Sequence, residues 1–127
     1  MPKSRLKPLK GKLKVENLLK NGRRFHLREA TAIIIFKQSP SQFELINFLV
    51  TISKKIAKKA VIRNRVKRLL RESLRQIDKD GISLNCMEQI FLIWKIAPTH
   101  PKLIKLNDVL PVVHKLIRKI NYFYNKN

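Results

Sequence analysis

Three scarcities narrow what this chain can be. It has one cysteine, 8 acidic residues against 29 Lys and Arg, and no long apolar run. Cys86 alone cannot form an internal disulfide or a cysteine-based zinc site, and a lone thiol fits a reducing, cytoplasmic compartment. No segment approaches the roughly 20 apolar residues that span a bilayer. The stretch from Met1 to Lys14 is basic but leads into no apolar core, so no secretory signal is predicted. The acids Glu16, Glu29, Glu44, Glu72, Asp78, Asp80, Glu88 and Asp108 are scattered. Hard cations need clustered oxygens, and a protein nuclease needs acidic metal ligands or a His general base. Only Asp78 and Asp80 lie close together, beside Gly81, where a turn role suffices; His26, His100 and His114 are far apart in sequence. Catalytic and metal-ligating residues are therefore predicted to be absent.

What the chain has in excess is positive charge, a formal +21 on 127 residues. Solubility asks for a net charge of only about 2–8 in a small domain, and self-repulsion at this density destabilises a compact state. A polyanionic partner offsets that cost, with counterion release making the association strong and salt-sensitive. At 44% hydrophobic residues the chain is too apolar for a disordered basic tail, and its length fits one domain. The charge is also uneven. Residues 1–28 carry ten Lys and Arg and one acid, residues 53–75 carry ten more and one acid, and an apolar middle separates them.

Pro2 and Pro8 make residues 1–10 a flexible basic arm. Residues 11–124 form the single α/β domain, and 125–127 a tail. Leu13–Lys20 predicts a short helix stopped at Asn21-Gly22. β-branched and apolar runs predict strands at Thr31–Phe36, Leu45–Ile52 and Gln89–Ile96, with a turn at Ser39-Pro40-Ser41. Phe48, Val50 and Ile52 share one side of the second strand. Two longer helices follow, at about 59–78 and 107–124, with Asn107 as cap of the last and Pro111 in its first turn. The fold class is an α/β (α+β) two-layer sandwich, with three helices on a small mixed sheet. Trp94 and Cys86 are read as core residues.

The basic helix is the most informative element. Ile62, Val66, Leu69, Leu70, Ser73 and Ile77 fall in one arc of about 100°. Asn64, Arg65, Arg68, Arg71 and Arg75 fall within about 120° on the other side. A solvated charged face mixes signs at i, i+4; here only Glu72 offers a partner. Guanidinium forks hold phosphates bidentately and stack on bases. Lys54, Lys55, Lys58 and Lys59 sit where the strand feeds the helix, whose N–H groups favour anions. A membrane-surface helix would carry large apolar residues and no flanking strands. A DNA-binding module is disfavoured by the lack of a helix–turn–helix pair or zinc spacing. The remaining competitor is a ribosomal-type structural RNA-binding protein.

Lys59-Ala60-Val61-Ile62-Arg63-Asn64-Arg65-Val66-Lys67-Arg68-Leu69-Leu70-Arg71-Glu72 resembles the "RNR" signature of the bacterial ribonuclease P protein subunit. Ser53-Lys54-Lys55 resembles that family's lead-in, and Asn21-Gly22-Arg23-Arg24-Phe25 its glycine–arginine turn. The resemblance implies a partner of a catalytic RNA that removes the 5′ leader of precursor tRNA, with the RNA supplying the Mg²⁺ site and the chemistry. It implies a left-handed βαβ crossover at the signature helix. It requires no membrane and no protein partner. The RNA-binding set it implies is Lys54, Lys55, Lys58, Lys59, Arg63, Asn64, Arg65, Lys67, Arg68, Arg71 and Arg75. A cleft between the sheet and the first helix would hold the leader, with Val15, Leu19, Arg23, Arg24, Phe25, Ile33, Ile35 and Phe48 around it. Val15 and Leu19 stand where family members often carry Phe, which implies an apolar groove in place of a stacking one.

Overall fold

A computed structural model describes residues 5–38, 45–98 and 103–126. Five strands form one mixed sheet in the order β1-β4-β5-β3-β2. They are β1 (Leu6–Pro8), β2 (Arg23–His26), β3 (Ala30–Phe36), β4 (Ile46–Ile52) and β5 (Met87–Trp94). The helices are α1 (Lys12–Asn21), α2 (Ala60–Lys79) and α3 (Leu106–Lys126). β4 lies parallel to both β1 and β5, whereas β3 is antiparallel to β5 and to β2. Thus α2 is the crossover of a βαβ unit whose two strands are direct neighbours.

Alternation along the strands sorts the residues between two faces. Ile46, Phe48, Val50 and Ile52 of β4, Ile90, Leu92 and Trp94 of β5, and Ala30, Ala32 and Ile34 of β3 join one buried cluster. α2 covers it with Val66, Leu70, Leu74 and Ile77, and α3 with Val109, Val113, Leu116, Ile117 and Ile120. The opposite face holds a smaller cluster, Leu9, Leu18, Ile33 and Phe91, where α1 lies against β3. Trp94 and Cys86 are both in the larger core. Burial pushes the Cys86 thiol above its ordinary range, so it stays neutral at physiological pH. That term stabilises the fold below the thiol pKa of the unfolded chain and is lost as pH rises through the folded value.

Four expectations shift. The arm drawn over residues 1–10 is strand at Leu6–Pro8, with Leu6 and Leu9 buried; residues 1–4 lie outside the described residues. Pro8, which lacks an N–H, is tolerated because β1 is an edge strand. The last strand starts at Met87 and ends at Trp94 rather than Ile96. α3 begins at Leu106, two residues earlier than an Asn107 cap implied, so Asn107 lies inside the helix. Asp108 Oδ2 accepts the Lys105 N–H at 2.8 Å, so Asp108 closes the helix start and Pro111 lies past the first turn. The Ser39-Pro40-Ser41 turn and His100 fall outside the described residues.

Gly22, at the junction of α1 and β2, is extended, so no unusual backbone demands it. Close approach does: a Cβ there would collide with the Ile33 side chain and the Leu18 carbonyl oxygen. Gly22→Ala is expected to destabilise the protein by about 1–3 kcal/mol through overpacking, read as a lowered urea midpoint with an unchanged slope.

Candidate nucleic-acid interface

The apolar stripe of α2 fixes which side chains can reach a partner. Val66, Leu69, Leu70, Ser73, Leu74 and Ile77 are buried. Asn64, Arg68 and Arg75 are exposed on the opposite side, with Lys67 and Arg71 half-buried on the shoulder. The outer row is almost one-signed. Its acid, Glu72, stands 3.9 Å from the Arg68 Nε with both side chains well exposed, a pair worth little to stability. Lys54, Lys55, Lys58 and Lys59 are exposed at the junction from β4 into α2, as Lys59, the cap residue, makes no side-chain capping bond. The α2 N–H groups are therefore flanked by cations.

Two signature arginines do something else. Arg63 Nη1 donates to the Ala57 and Lys58 carbonyl oxygens at 2.9 and 2.7 Å, pinning the lead-in loop to the helix. Arg65 donates from Nε and Nη2 to the single Ile104 oxygen at 3.0 and 2.8 Å, tying α2 to the segment before α3. Both are half-buried at the margins of the apolar stripe. Beside the RNA-binding role that the resemblance implies for them, both guanidiniums hold backbone in place. A charge-assisted bond to a carbonyl is worth about 1.5–3 kcal/mol.

The second candidate surface is the sheet face beside α1. By register it carries Arg24 and His26 of β2, Thr31, Ile33 and Ile35 of β3, Asn47, Leu49 and Thr51 of β4, and Gln89, Phe91 and Ile93 of β5. Val15, Ile35, Leu49 and Ile93 are half-buried around the small cluster, forming an apolar trough next to the helix. Arg24 donates to the Leu19 carbonyl oxygen at 3.2 Å, and His26 Nδ1 lies 3.0 Å from Thr31 Oγ1. Leu19 is exposed at 40% and Ile33 is fully buried beneath α1.

Three of the residues expected in this cleft lie on the other face. Phe48 belongs to the large core, and Phe25 packs edge-on against Phe36 and Phe123 at centroid distances of 6.3 and 5.5 Å. Arg23 sits 4.2 Å over the Phe123 ring of α3. Each is one residue out of phase with the cleft positions, since a strand alternates strictly. The aromatic floor of the trough is Phe91, which the sequence did not single out because Ile90-Phe91-Leu92-Ile93 is an unbroken apolar run with no polar alternation to mark its faces.

Nothing in the described residues gathers a metal site: no three His, Cys, Asp or Glu side chains converge. Asp78 is paired with Arg5 at 2.8 Å and Asp80 accepts from Gln76 at 2.8 Å, so the adjacent acids are committed to structure. No described helix is long and apolar enough to cross a membrane.

A family model described as Ribonuclease P matches residues 4–95. The ribonuclease P protein component of Microcystis aeruginosa is 39% identical over 56 residues, which are 44% of this chain and 47% of that protein. The matched stretch thus spans about half the length of that relative. The solved structure of the Staphylococcus aureus RNase P protein superposes with a TM-score of 0.65 at 16% identity, covering 89% of this chain and 94% of that one. The Thermotoga maritima RNase P protein gives 0.62 at 15%, covering 88% and 96%. At such identities these two likenesses speak for the fold.

The geometry separates α2 arginines that brace from those that reach outward. Arg65→Gln is expected to lower stability by about 1.5–3 kcal/mol, because the Ile104 carbonyl loses both charged donors. Arg68→Gln should change stability by less than about 0.5 kcal/mol, as exposed positions do. Paired denaturation curves check both.

Proposed function

Because this chain belongs to the Ribonuclease P family, we propose that it is the protein subunit of a ribonucleoprotein that removes the 5′ leader from precursor tRNA. In this reading α2 grips the catalytic RNA and the open sheet face takes the leader strand. The observation that carries it is the nearly one-signed outer row of α2, Asn64, Arg68, Arg71 and Arg75 with Glu72 as its one acid, on a helix whose other side is bolted to the sheet. Fixed cations release counterions from RNA without first ordering a flexible tail, so the interaction energy is not spent on folding. The lysines at the α2 start extend the positive field along the same edge.

The trough suits a single strand held without strong base selection. Its walls are aliphatic, from Val15, Ile35, Leu49 and Ile93, with one buried aromatic, Phe91. Stacking on exposed rings normally supplies grip on single strands; here apolar contact and the neighbouring cations Arg24 and His26, when protonated, take a larger share. The chemistry falls to the RNA. The described acids are spread or paired, as Asp78 is with Arg5, so Mg²⁺ is assigned to the RNA partner and not to this polypeptide.

Mixing the purified protein with a catalytic ribonuclease P RNA at low Mg²⁺ tests the reading. Precursor tRNA should remain intact with protein alone and be cut faster by the mixture than by RNA alone. Cleavage by RNA-free protein, or no stimulation, overturns it. Replacing Arg68 and Arg75 together with Gln should weaken RNA binding at least tenfold and lower the dependence of log K on log salt by about two.

A further inference from the structure

We infer that α3 carries a second contact surface for the same RNA, built around an exposed tyrosine. This rests on the functional reading above and extends it to an element outside the signature helix. The core of α3 is Val109, Val113, Leu116, Ile117 and Ile120. Directly opposite lie Lys115, Arg118 and Tyr122, at i, i+3 and i+7, with Lys126 one turn further. Tyr122 is 68% exposed. Lys126 Nζ stands 5.6 Å from its ring centroid, the arrangement of a cation over a π face. The neighbouring rings behave differently: Phe123 and Tyr124 turn inward onto Phe25 and Phe36.

Three observations point to RNA as the occupant. Lys115 and Arg118 have no ion-pair partner among the described residues, and the helix's single acid, Asp108, is bound to the Lys105 N–H at its far end. At +21 the chain repels a second copy of itself. An exposed ring set between cations is also the pairing that single-stranded nucleic acid selects, stacking on the ring while its phosphates meet the charges.

Position then chooses between RNAs. α2 and α3 follow β4 and β5, which are parallel neighbours, so the two helices run side by side on one sheet face. Helices in contact lie about 8–10 Å apart. Arg65 on Ile104 locks the start of that pair. The outer rows of both helices point away from the sheet, on the face opposite the trough. An RNA seated on Arg68 and Arg75 therefore passes over Arg118 and Tyr122, whereas a leader in the trough does not. The surface is assigned to an unpaired nucleotide of the catalytic RNA, stacked on Tyr122 with flanking phosphates on Lys115, Arg118 and Lys126.

Full-length wild type, Tyr122→Phe, Tyr122→Ala, the double variant Lys115→Gln/Arg118→Gln, and the α2 double variant Arg68→Gln/Arg75→Gln are titrated with catalytic RNA alone and with precursor tRNA alone, across a salt series. Thermal melts confirm that each variant is folded. Tyr122→Ala should weaken catalytic-RNA binding fivefold or more, and Tyr122→Phe should bind like wild type, because the ring and not the hydroxyl carries the contact. The α3 double variant should lower the salt slope by about two. If the α3 variants bind catalytic RNA like wild type while the α2 variant is weakened, this inference fails and the proposed function stands. If they lose only precursor-tRNA binding, the assignment to catalytic RNA fails. Wild-type protein that does not bind catalytic RNA would bring down the functional reading itself.

Discussion

The structure depends on one packing contact: the apolar stripe of α2 against β4, within the core it shares with α3. Val66, Leu70, Leu74 and Ile77 share one buried cluster with Phe48 and Val50 of β4 and with Ile90 and Leu92 beside it. This contact is what allows like charges to stand in a row. Each buried aliphatic side chain contributes about 1.5–3 kcal/mol, enough to hold a helix whose outer side would otherwise repel itself. Remove the stripe and the arginines become a mobile basic segment, which would have to order upon binding. Arg63 and Arg65 belong to the same construction. They convert positive charge at the stripe's edges into bonds with the lead-in loop and with Ile104, so the helix is fixed along its sides as well as beneath.

The long-period elements were legible in the sequence because their hydrophobic signal is strong. The stripe at Ile62, Val66, Leu69, Leu70 and Ile77 is a helix within a residue at either end, and the β-branched runs are strands. Leu6–Pro8 was not legible. Three residues with a proline carry no period, and the strand exists because Ile46–Phe48 offers it a parallel edge. The shared side of Phe48, Val50 and Ile52 was visible; which helix covers that side was not, since it depends on how the chain folds back. That is why Phe48 and Phe25 were drawn into the cleft and found in the main core. The bracing role of Arg65 was not legible for a related reason. A helical projection places it among the outward residues, but its acceptor lies on Ile104, 39 positions away.

The two faces of the sheet divide the work. The face under α2 and α3 is closed by a large core and exports charge on its helices. The face beside α1 is only partly covered, leaving Ile35, Leu49 and Ile93 half-buried. An open aliphatic trough is a liability unless something occupies it. The adjoining charge opposes self-association, and the leader strand of the proposed function would satisfy both requirements at once, its bases covering apolar surface and its phosphates meeting the cations.

Such a division also explains why so few acids remain and how they are used. An acid on the outer rows would cancel phosphate affinity, and one in the trough would repel the strand. Three of the described acids sit instead where they brace backbone or meet a neighbouring side chain: Asp108 at the start of α3, Asp78 on Arg5, Asp80 on Gln76. Glu72 is the exception on the outer row, and at 3.9 Å from Arg68 it holds that guanidinium only loosely. With those three carboxylates engaged in this way, the outer rows of the helices stay strongly positive, as the proposed RNA-binding role requires. On the proposed reading, a surface with nearly one sign of charge would hold polyanions on either side of the same sheet, and among the described residues no three His, Cys, Asp or Glu side chains converge to bind a metal.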